Sequence, residues 1–190
     1  MSTFRLLRHL VGLAAALTTS ASYAQNAPAT PNQAPLPNPQ SRALIADKPS
    51  PAATATGKVG AAAVTVAYSS PAVKGRSIWG GLVPYGQVWR AGANEATTVE
   101  FSQAVTVEGK ALPAGKYGFF VLPTEKQWTI IFNKVPNQWG AYDYDQKQDA
   151  LRVTVAPRKA ASMAERLVYE VKPTGLVLRW ENLEAAVAIK

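Results

Sequence analysis

The sequence predicts an all-β protein, an antiparallel β-sandwich of the jelly-roll or immunoglobulin-like type. Three observations predict it. Apolar and polar side chains alternate along many short segments, turn-forming residues separate these segments, and almost no segment has the 3.6-residue periodicity of a helix. Successive side chains of a strand point to opposite faces, so this alternation indicates one buried and one exposed face. We expect roughly eight to ten strands.

The alternating segments begin near residue 64 and continue to the end of the chain. Their inward positions are expected to be Val64, Val66 and Tyr68; Thr97, Val99 and Phe101; Trp128, Ile130 and Phe132; Leu151, Val153 and Val155; Leu167, Tyr169 and Val171; and Leu176, Leu178 and Trp180, with a last strand near 183–189. Turn signals rich in Gly and Pro lie between the segments, at 108–110, 113–115, 123–126 and 173–175. Many short strands joined by such turns favour antiparallel pairing.

Two segments depart from the alternation. The segment "KYGFFVLP", 116–123, has apolar side chains on both faces, because Phe120 and Leu122 point away from Phe119 and Val121. A strand that is apolar on both faces is typical of the centre of a sheet that is covered on both sides. The segment "AASMAERL", 160–167, is the only one that could hold a short helical turn.

The N-terminus, residues 1–24, has the layout of a secretory signal peptide. Arg5 and Arg8 precede the apolar run 10–17, and the small residues Ser22 and Ala24 form a cleavage signal. The run is too short to span a membrane, and no later segment reaches that length. No Cys follows the run, which excludes a lipidated anchor at that site. We therefore expect a periplasmic or secreted bacterial protein with no integral membrane segment after cleavage.

Residues 25–58 are rich in Pro, Ala, Asn and Thr and have almost no large apolar side chain. Such a segment cannot bury enough surface to offset the entropy of ordering it, so we expect a disordered tether. The folded unit is then a single domain at 59–190, which contains 15 Lys and Arg and 11 Asp and Glu. The two charge types are interspersed, which argues against nucleic acid as a partner.

The mature chain contains neither His nor Cys, since the single His9 lies in the signal peptide. This excludes Ser-His-Asp and Cys-His catalysis, His-ligated zinc and imidazole as a general base. Carboxylate chemistry stays open, because glycoside hydrolysis needs only two acids that face one cleft. The candidates are Glu95 with Asp143, Asp145 or Glu181. Lone acids on loops and strands are more often solvated, so we predict no catalytic residues and no cofactor.

An oxygen-ligated metal is the other chemistry to consider. The segment "DYDQKQD" places Asp143, Asp145 and Asp149 at positions 1, 3 and 7 of a calcium-loop frame. Lys147 stands at position 5, however, and the frame has neither the Gly at position 6 nor an acid at position 12. This pattern fits a solvated acidic loop better than a calcium site, and Asp149 is expected to pair with Arg152 or to cap the strand. We predict no metal site.

The stretch "RSIWGGLVPYGQVWRAGANEATTVEF", 76–101, combines aromatic rings, glycines and a cluster of polar side chains. Gly86 and Gly92 permit positive φ and Asn94 tolerates it, so the chain can turn sharply twice. Arg90 and Glu95 flank the second turn and could pair across it. In a purely structural interpretation, the aromatic rings fill the end of the sandwich and this ion pair locks the turn.

The functional interpretation is that the same stretch lines a ligand site. The rings of Trp79 and Tyr85 would stack on a sugar or an aromatic face, and Arg90, Asn94 and Glu95 would supply donors and acceptors. Binding residues are common on loops that strands hold in place. We predict these five residues as the ligand-binding residues and leave the structural interpretation open beside it.

Several long strings resemble, in order, a family of exported bacterial proteins that is known only as domain of unknown function family 2911. These strings are "YSSPAVKGRSIWGGLVPYGQVWRAGANEATTVEF", "LPAGKYGFFVLP", "WTIIFNK", "WGAYDYDQKQDALRV" and "LVLRWEN". The resemblance covers roughly residues 60–189 and is specific, because "GLVPYGQVWRAGANEAT" is long and irregular. It implies an exported β-rich domain and supplies no catalytic residues.

Three classes of function are compatible with the sequence. The leading one is a non-catalytic exported module that binds a glycan, a cell-wall fragment or another small polar ligand. The alternatives are a carboxylate-dependent enzyme that acts on glycans and a structural or protein-interaction domain with an unidentified protein partner. A concave pocket that contains Arg90, Asn94 and Glu95 would favour the first class, and two facing carboxyl groups would favour the second.

Overall fold

The computed structural model describes residues 49–190, and these residues form an antiparallel β-sandwich. Its ten strands within this range are β1 (Ala52–Val59), β2 (Ala62–Ser69), β3 (Thr97–Phe101), β4 (Val105–Val107), β5 (Lys110–Leu112), β6 (Gly115–Pro123), β7 (Trp128–Asn133), β8 (Asp149–Val155), β9 (Arg158–Lys172) and β10 (Gly175–Ala188). One 3₁₀ turn, Gln146–Gln148, precedes β8. Within residues 49–190 no helix has the length and apolar character of a membrane span.

The first layer is a six-stranded sheet with the order β1-β2-β3-β6-β7-β8, in which every neighbouring pair is antiparallel. The second layer is the long hairpin of β9 and β10, and β4 and β5 form a small separate hairpin. Strand β9 packs against β1 and strand β10 against β8, so the hairpin contacts both edge strands of the large sheet.

The main hydrophobic core lies between the two layers and contains most of the predicted inward positions. In the large sheet these are Val64, Val66, Val99, Phe101, Trp128, Ile130, Phe132, Val153 and Val155, and in the long hairpin they are Leu167, Tyr169, Leu176, Leu178 and Trp180. Tyr68, Leu151 and Val171 are only partly buried and pack against this core. The period-two alternation therefore predicted the buried faces of both layers correctly.

Strand β6 is covered on both faces, as its doubly apolar sequence predicts. Phe119 and Val121 belong to the main core, whereas Phe120 packs with Ala96 and Ile131 in a second cluster on the other face. Residues from two loops cover that second cluster: Val88, Ala141 and Tyr144. The outer face of the sheet centre is thus an anchoring surface for those loops.

The predicted tether is wrong in its last part, because 52–59 form strand β1. All eight residues pair with β2, from Ala52 with Ser69 to Val59 with Ala62. Small side chains are needed here, since a Cβ added at Gly57 would lie 2.8 Å from the Cβ of Val171 on β9. The lack of large apolar side chains in this segment therefore reflects close packing of two layers. The rest of the predicted tether, 25–48, and the predicted signal peptide lie outside the described residues.

The segment 160–167, which could have held a short helical turn, is part of β9 instead. The pairing of β9 with β10 shifts register twice there, from Arg179 with Val168 to Glu181 with Ala164 and then to Leu183 with Lys159. Strand β9 thus uses more residues than its partner over the same length, which is the defining property of a bulge. The extra residues break the regular alternation that identifies the other strands.

We predict that β1 contributes strongly to stability. A chain that starts at Gly60 loses the whole β1–β2 ladder, and at about 0.5–1.5 kcal/mol net for each backbone hydrogen bond this should cost about 4 kcal/mol or more. The comparison is urea unfolding of chains that start at residue 25, at Pro49 and at Gly60. We expect the first two to be equal and the third to be much less stable. Equal stability of the last two would contradict the assignment of β1 to the folded unit.

Candidate functional site

Two loops lie side by side at one end of the sandwich. The site loop, residues 70–96, connects β2 with β3, and the second loop, residues 134–148, connects β7 with β8. Trp89 in the site loop continues the sheet beside β6, because its backbone N–H donates to the Val121 carbonyl (2.7 Å) and its carbonyl accepts from the Val121 N–H (2.9 Å). Glu95 pairs through its backbone with Trp139 of the second loop. Both loops are therefore held by backbone hydrogen bonds.

Four tryptophans form a cluster, the tryptophan cluster, at this end of the core. Its members are Trp79, Trp89, Trp128 and Trp180. The ring centres of Trp79 and Trp128 are 4.4 Å apart, and those of Trp89 and Trp180 are stacked at 5.7 Å. Trp79 and Trp89 of this stretch thus pack at the end of the sandwich, as the structural interpretation expects, whereas Tyr85 is exposed and does not. Trp79 packs against three other rings and is half-buried.

The chain reverses at Ala91 and again at Asn94. Ala91 has a φ of 52° and Asn94 a φ of 56°, whereas Gly92, where positive φ was expected, does not adopt it. Gly92 is needed for another reason, because a Cβ there would lie 2.6 Å from the Thr97 hydroxyl oxygen. The carbonyl of Ala91 accepts hydrogen bonds from the Thr97 hydroxyl (2.9 Å) and from the Tyr169 hydroxyl (2.6 Å). Burial raises the pKa of Tyr169 well above its ordinary value.

A cleft of about 380 Å³ opens between the site loop, the start of β1 and the tryptophan cluster. We call it the main cleft. Its polar and charged walls come from Ser50, Lys74, Arg76, Arg90 and Asn94. Its aromatic wall comes from the stacked rings of Trp89 and Trp180, and small or apolar residues such as Ala72, Leu82 and Ala93 complete it.

The structure brings two of the five predicted site residues together in the main cleft, Arg90 and Asn94. Trp79 belongs to the tryptophan cluster and does not line the cleft. Tyr85 is exposed and lies in a separate shallow depression with Thr124, Glu125 and Lys126. Glu95 is also exposed and lies in two other depressions, beside Ala96 and Thr98. The binding role of the five residues stays a prediction, but they do not share one pocket.

Sequence reasoning missed the residues that come from other parts of the chain. Trp180 comes from β10, and Ser50 lies before β1 in the segment that was predicted to be a tether. Lys74 precedes the aromatic stretch and Arg76 is its first residue, and neither carried a signal beyond its charge. Trp89 was part of the quoted stretch but was assigned only to packing. In the structure it packs against Trp180 and also lines the main cleft.

The expected ion pair between Arg90 and Glu95 is not formed. Among residues 49–190 the ion pairs within 4 Å are Arg152 with Asp149, Arg158 with Glu184, and Lys172 and Arg179 with Glu170. The chain between Arg90 and Glu95 turns toward the second loop. The Asn94 carbonyl accepts from the Gly140 N–H at 3.1 Å, and the backbone of Glu95 pairs with that of Trp139. The backbone carbonyl of Arg90 accepts from the Thr97 N–H at 3.2 Å, but its guanidinium has no hydrogen bond to residues 49–190, and its Nε is fully buried.

Asn94 has a structural role at the cleft. Its side-chain amide donates to the Ser50 carbonyl at 3.2 Å and to the Ser69 hydroxyl at 3.1 Å. These bonds tie the site loop to the residues before β1 and to the end of β2. The polar residues that the sequence grouped together therefore differ: Asn94 is used in the fold, whereas Arg90 has unused donors.

A buried polar network fixes the second loop. Asn133 is completely buried; its amide donates to Asp149 Oδ1 (2.9 Å) and to the Asp145 carbonyl (3.0 Å), and its Oδ1 accepts from the Val135 N–H (3.0 Å). Asp149 also accepts from Tyr144 (2.6 Å) and pairs with Arg152 (2.9 Å). The expected pairing of Asp149 with Arg152 is thus confirmed.

Two of the three acids of the calcium-loop frame are engaged with the protein itself, and the third, Asp143, is exposed. Asp145 caps the 3₁₀ turn by accepting from the Lys147 N–H at 2.9 Å, and Asp149 belongs to the Asn133 network. In the part of the chain that the structure describes, no three acidic, His or Cys side chains are grouped as a metal site. None of the acids considered for paired-carboxylate chemistry, Glu95, Asp143, Asp145 and Glu181, lines the main cleft.

Comparison with known proteins agrees with the resemblance seen in the sequence. The chain belongs to the family described as "Protein of unknown function (DUF2911)", which matches residues 50–189. The match begins just before β1 and so includes the strand that the sequence analysis assigned to a tether. No curated protein matches the chain, and no solved structure matches it.

We predict that Asn133→Ala lowers the unfolding free energy by about 3 kcal/mol or more. The substitution leaves several buried groups without their hydrogen bonds to Asn133, and each unsatisfied buried group costs about 1–3 kcal/mol. The matched control is Asn137→Ala in the same region, where the side chain is exposed and the change should stay within about 0.5 kcal/mol. Urea unfolding measures both variants. Equal effects at the two positions would show that the network does not hold the second loop.

We also predict that Tyr144 makes stability fall at alkaline pH. Burial, and then the hydrogen bond to Asp149 and its charge, raise the pKa of Tyr144 above its ordinary value of 10.0. The stability that the raised pKa of Tyr144 contributes is fully present below pH 10, the ordinary pKa of tyrosine. It is lost as the pH rises from there toward the higher pKa of the folded state. Between about pH 10 and 12, the stability advantage of the wild type over Tyr144→Phe should therefore shrink. A difference in unfolding free energy between the wild type and Tyr144→Phe that stays constant over this range would contradict the prediction.

Proposed function

We propose that this domain is a non-catalytic binding module that holds a glycan, a cell-wall fragment or another small polar ligand in the main cleft. One observation carries the proposal: the ring of Trp89, which is stacked on Trp180, and an arginine whose guanidinium has no hydrogen-bond partner among residues 49–190 line the same open cleft. The signal-peptide pattern of residues 1–24 supports an exported protein that meets such ligands in the periplasm or outside the cell.

The size and lining of the main cleft support a small ligand. Its volume, about 380 Å³, is near the lower end of the range for small-molecule sites. Trp89 is half-buried and stacked on the buried Trp180, so its ring offers an apolar surface that suits the C–H face of a sugar ring. The polar groups around it can fix the ligand's orientation. The combination of a rigid aromatic wall with a few polar groups is typical of binding sites.

The cleft is also held in shape without a ligand. Trp89 is bonded to β6 through its backbone, and its indole N–H donates to the Gly92 carbonyl at 3.1 Å. Asn94 ties the opposite wall to Ser50 and Ser69. A site whose walls are fixed by the fold loses little conformational entropy when a ligand binds.

Binding is favoured over the enzyme alternative by the lining of the cleft. Paired-carboxylate catalysis needs two acidic groups that face the substrate, and the charged groups lining the main cleft are Lys74, Arg76 and Arg90. His9 lies in the predicted signal peptide, so imidazole chemistry is excluded by the sequence as well. A structural or interaction domain would not need an open cleft with unused donors.

A cleft-filling substitution tests this proposal. Ala93 is half-buried and lines the main cleft, so Ala93→Trp should occupy the ligand's place and weaken binding at least tenfold. Ala104→Trp, at an exposed position outside the cleft, is the matched control and should bind like the wild type. An array of neutral and acidic glycans and peptidoglycan fragments measures binding, and urea unfolding checks that both variants fold.

Two results would contradict the proposal. A ligand that the wild type and Ala93→Trp bind equally well would place the binding site elsewhere on the domain. A wild-type domain that binds no member of the array would favour the structural or protein-interaction alternative.

A further inference from the structure

We infer that the ligand of the main cleft carries an anionic group, a carboxylate or a phosphate, and that Arg90 is its principal partner. The inference rests on the proposed binding function and adds the chemical class of the ligand. Its basis is the charge of the cleft, the unused donors of Arg90 and the fixed position of a second guanidinium group.

Every charged residue that lines the main cleft is a cation. These residues are Lys74, Arg76 and Arg90, and no Asp or Glu is among the residues of its wall. An acid does lie at the edge, since Glu165 Oε1 accepts from the Lys74 backbone N–H at 3.0 Å. This carboxylate is engaged with backbone and is exposed. Like charges gathered in one concave wall focus their field on the interior of the cleft, which attracts anions.

Arg90 is the cation with the most unused donors. It is half-buried, its Nε is fully buried, and no hydrogen bond or ion pair joins its guanidinium to any of residues 49–190. A buried donor without a partner is costly, and more so when it is charged. A guanidinium group matches the two oxygens of a carboxylate or phosphate in a bidentate geometry. The buried Nε is out of reach of a ligand, so an anion in the cleft would bind the two Nη atoms, whose donors residues 49–190 leave open.

Arg76 presents a second guanidinium group whose position the fold fixes. Its Nε donates to the Val73 carbonyl at 3.0 Å, and its Nη2 donates to the Ala72 carbonyl. Its Nη1 has no hydrogen-bond partner among the described residues and is available to a ligand. Lys74 adds an exposed ammonium group from a turn in which its own φ is positive, 49°. One anion in the cleft could thus interact with the half-buried Arg90 and with the exposed Arg76 and Lys74 at the rim.

The aromatic wall restricts the chemical class of the ligand further. Trp89 and Trp180 line the same cleft as the cations, so a ligand that fills it needs an apolar face as well as an anionic group. Hexuronic acids and sugar phosphates both have a C–H face on a ring and an anionic substituent. They share the chemistry that the cleft recognises and differ only in whether a carboxylate or a phosphate carries the charge.

Three ring-matched probes test the inference: glucose, glucuronate and glucose 6-phosphate. Each is titrated into the isotope-labelled domain, residues 25–190, while NMR follows the Arg90 Nε–H signal and the indole N–H signals of Trp89 and Trp180. We expect saturable shifts of these signals with glucuronate, glucose 6-phosphate or both, and a much weaker response to glucose. Comparison of the two anionic probes shows whether the cleft prefers a carboxylate or a phosphate.

Variants and salt assign the effect to Arg90. Arg90→Gln should weaken binding of the anionic probe at least tenfold, which is about 1.4 kcal/mol. The affinity of Arg90→Lys should lie between those of Arg90→Gln and the wild type, because lysine keeps the charge but cannot bind two oxygens in a bidentate geometry. Arg158→Gln, an exposed arginine outside the cleft, is the matched control. Should Arg90→Gln fail to fold, the wild type still provides a test, since added NaCl should weaken anion binding.

The inference and the proposed function fail in different ways. Equal binding of glucose and the two anions, or unchanged binding in Arg90→Gln, would overturn the anionic ligand and leave a polar-ligand site in the cleft. Saturable binding of neutral glycans alone on the array would do the same. No saturable response to either anion, together with no binding on the array, would overturn both.

Discussion

The carbonyl oxygen of Ala91 joins three parts of the protein that are far apart in sequence. It belongs to the site loop, and it accepts hydrogen bonds from Thr97 at the start of β3 and from Tyr169 on β9. Both donors are buried, so neither could exchange this bond for one to water without opening the core. The bond holds Ala91 in a positive-φ conformation that an L side chain rarely adopts, and it fixes the neighbouring residues Arg90 and Gly92 against both layers.

The tryptophan cluster depends on this constraint and in turn shapes the main cleft. Trp89 precedes the Ala91 turn by two residues, and its ring is stacked on Trp180 from the long hairpin. The indole N–H groups of Trp79, Trp128 and Trp180 are buried without a hydrogen-bond partner in the described residues, which costs stability. The packing of the rings offsets that cost, because each indole removes a large apolar surface from water. A wall built in this way is rigid and cannot easily collapse into the cleft.

Alternation identified most strands because it reports a local property, the burial of one face. It succeeded for β2, β3, β7 and β10, and the doubly apolar sequence of β6 correctly predicted cover on both sides. Strand β1 was missed because its small residues are explained only by a contact distant in sequence, that of Gly57 with Val171. Strand β9 was misjudged in part because its bulges interrupt the alternation. Local pattern thus predicts which face is buried, but it does not predict where two layers approach closely.

The same limit applies to the site. The sequence grouped Arg90, Asn94 and Glu95 because they are neighbours, yet the fold gives each a different environment: Asn94 is bonded to Ser50 and Ser69, Glu95 faces solvent, and Arg90 keeps its donors. An Arg90–Glu95 ion pair would have neutralised Arg90 and left only Lys74 and Arg76 as uncompensated charges of the cleft, and the turn at Asn94 prevents this pair by directing Glu95 toward the second loop. The positive character of the cleft therefore arises from backbone conformation as much as from composition. A change at Asn94 that altered this turn would affect charge in the cleft although Asn94 itself is neutral.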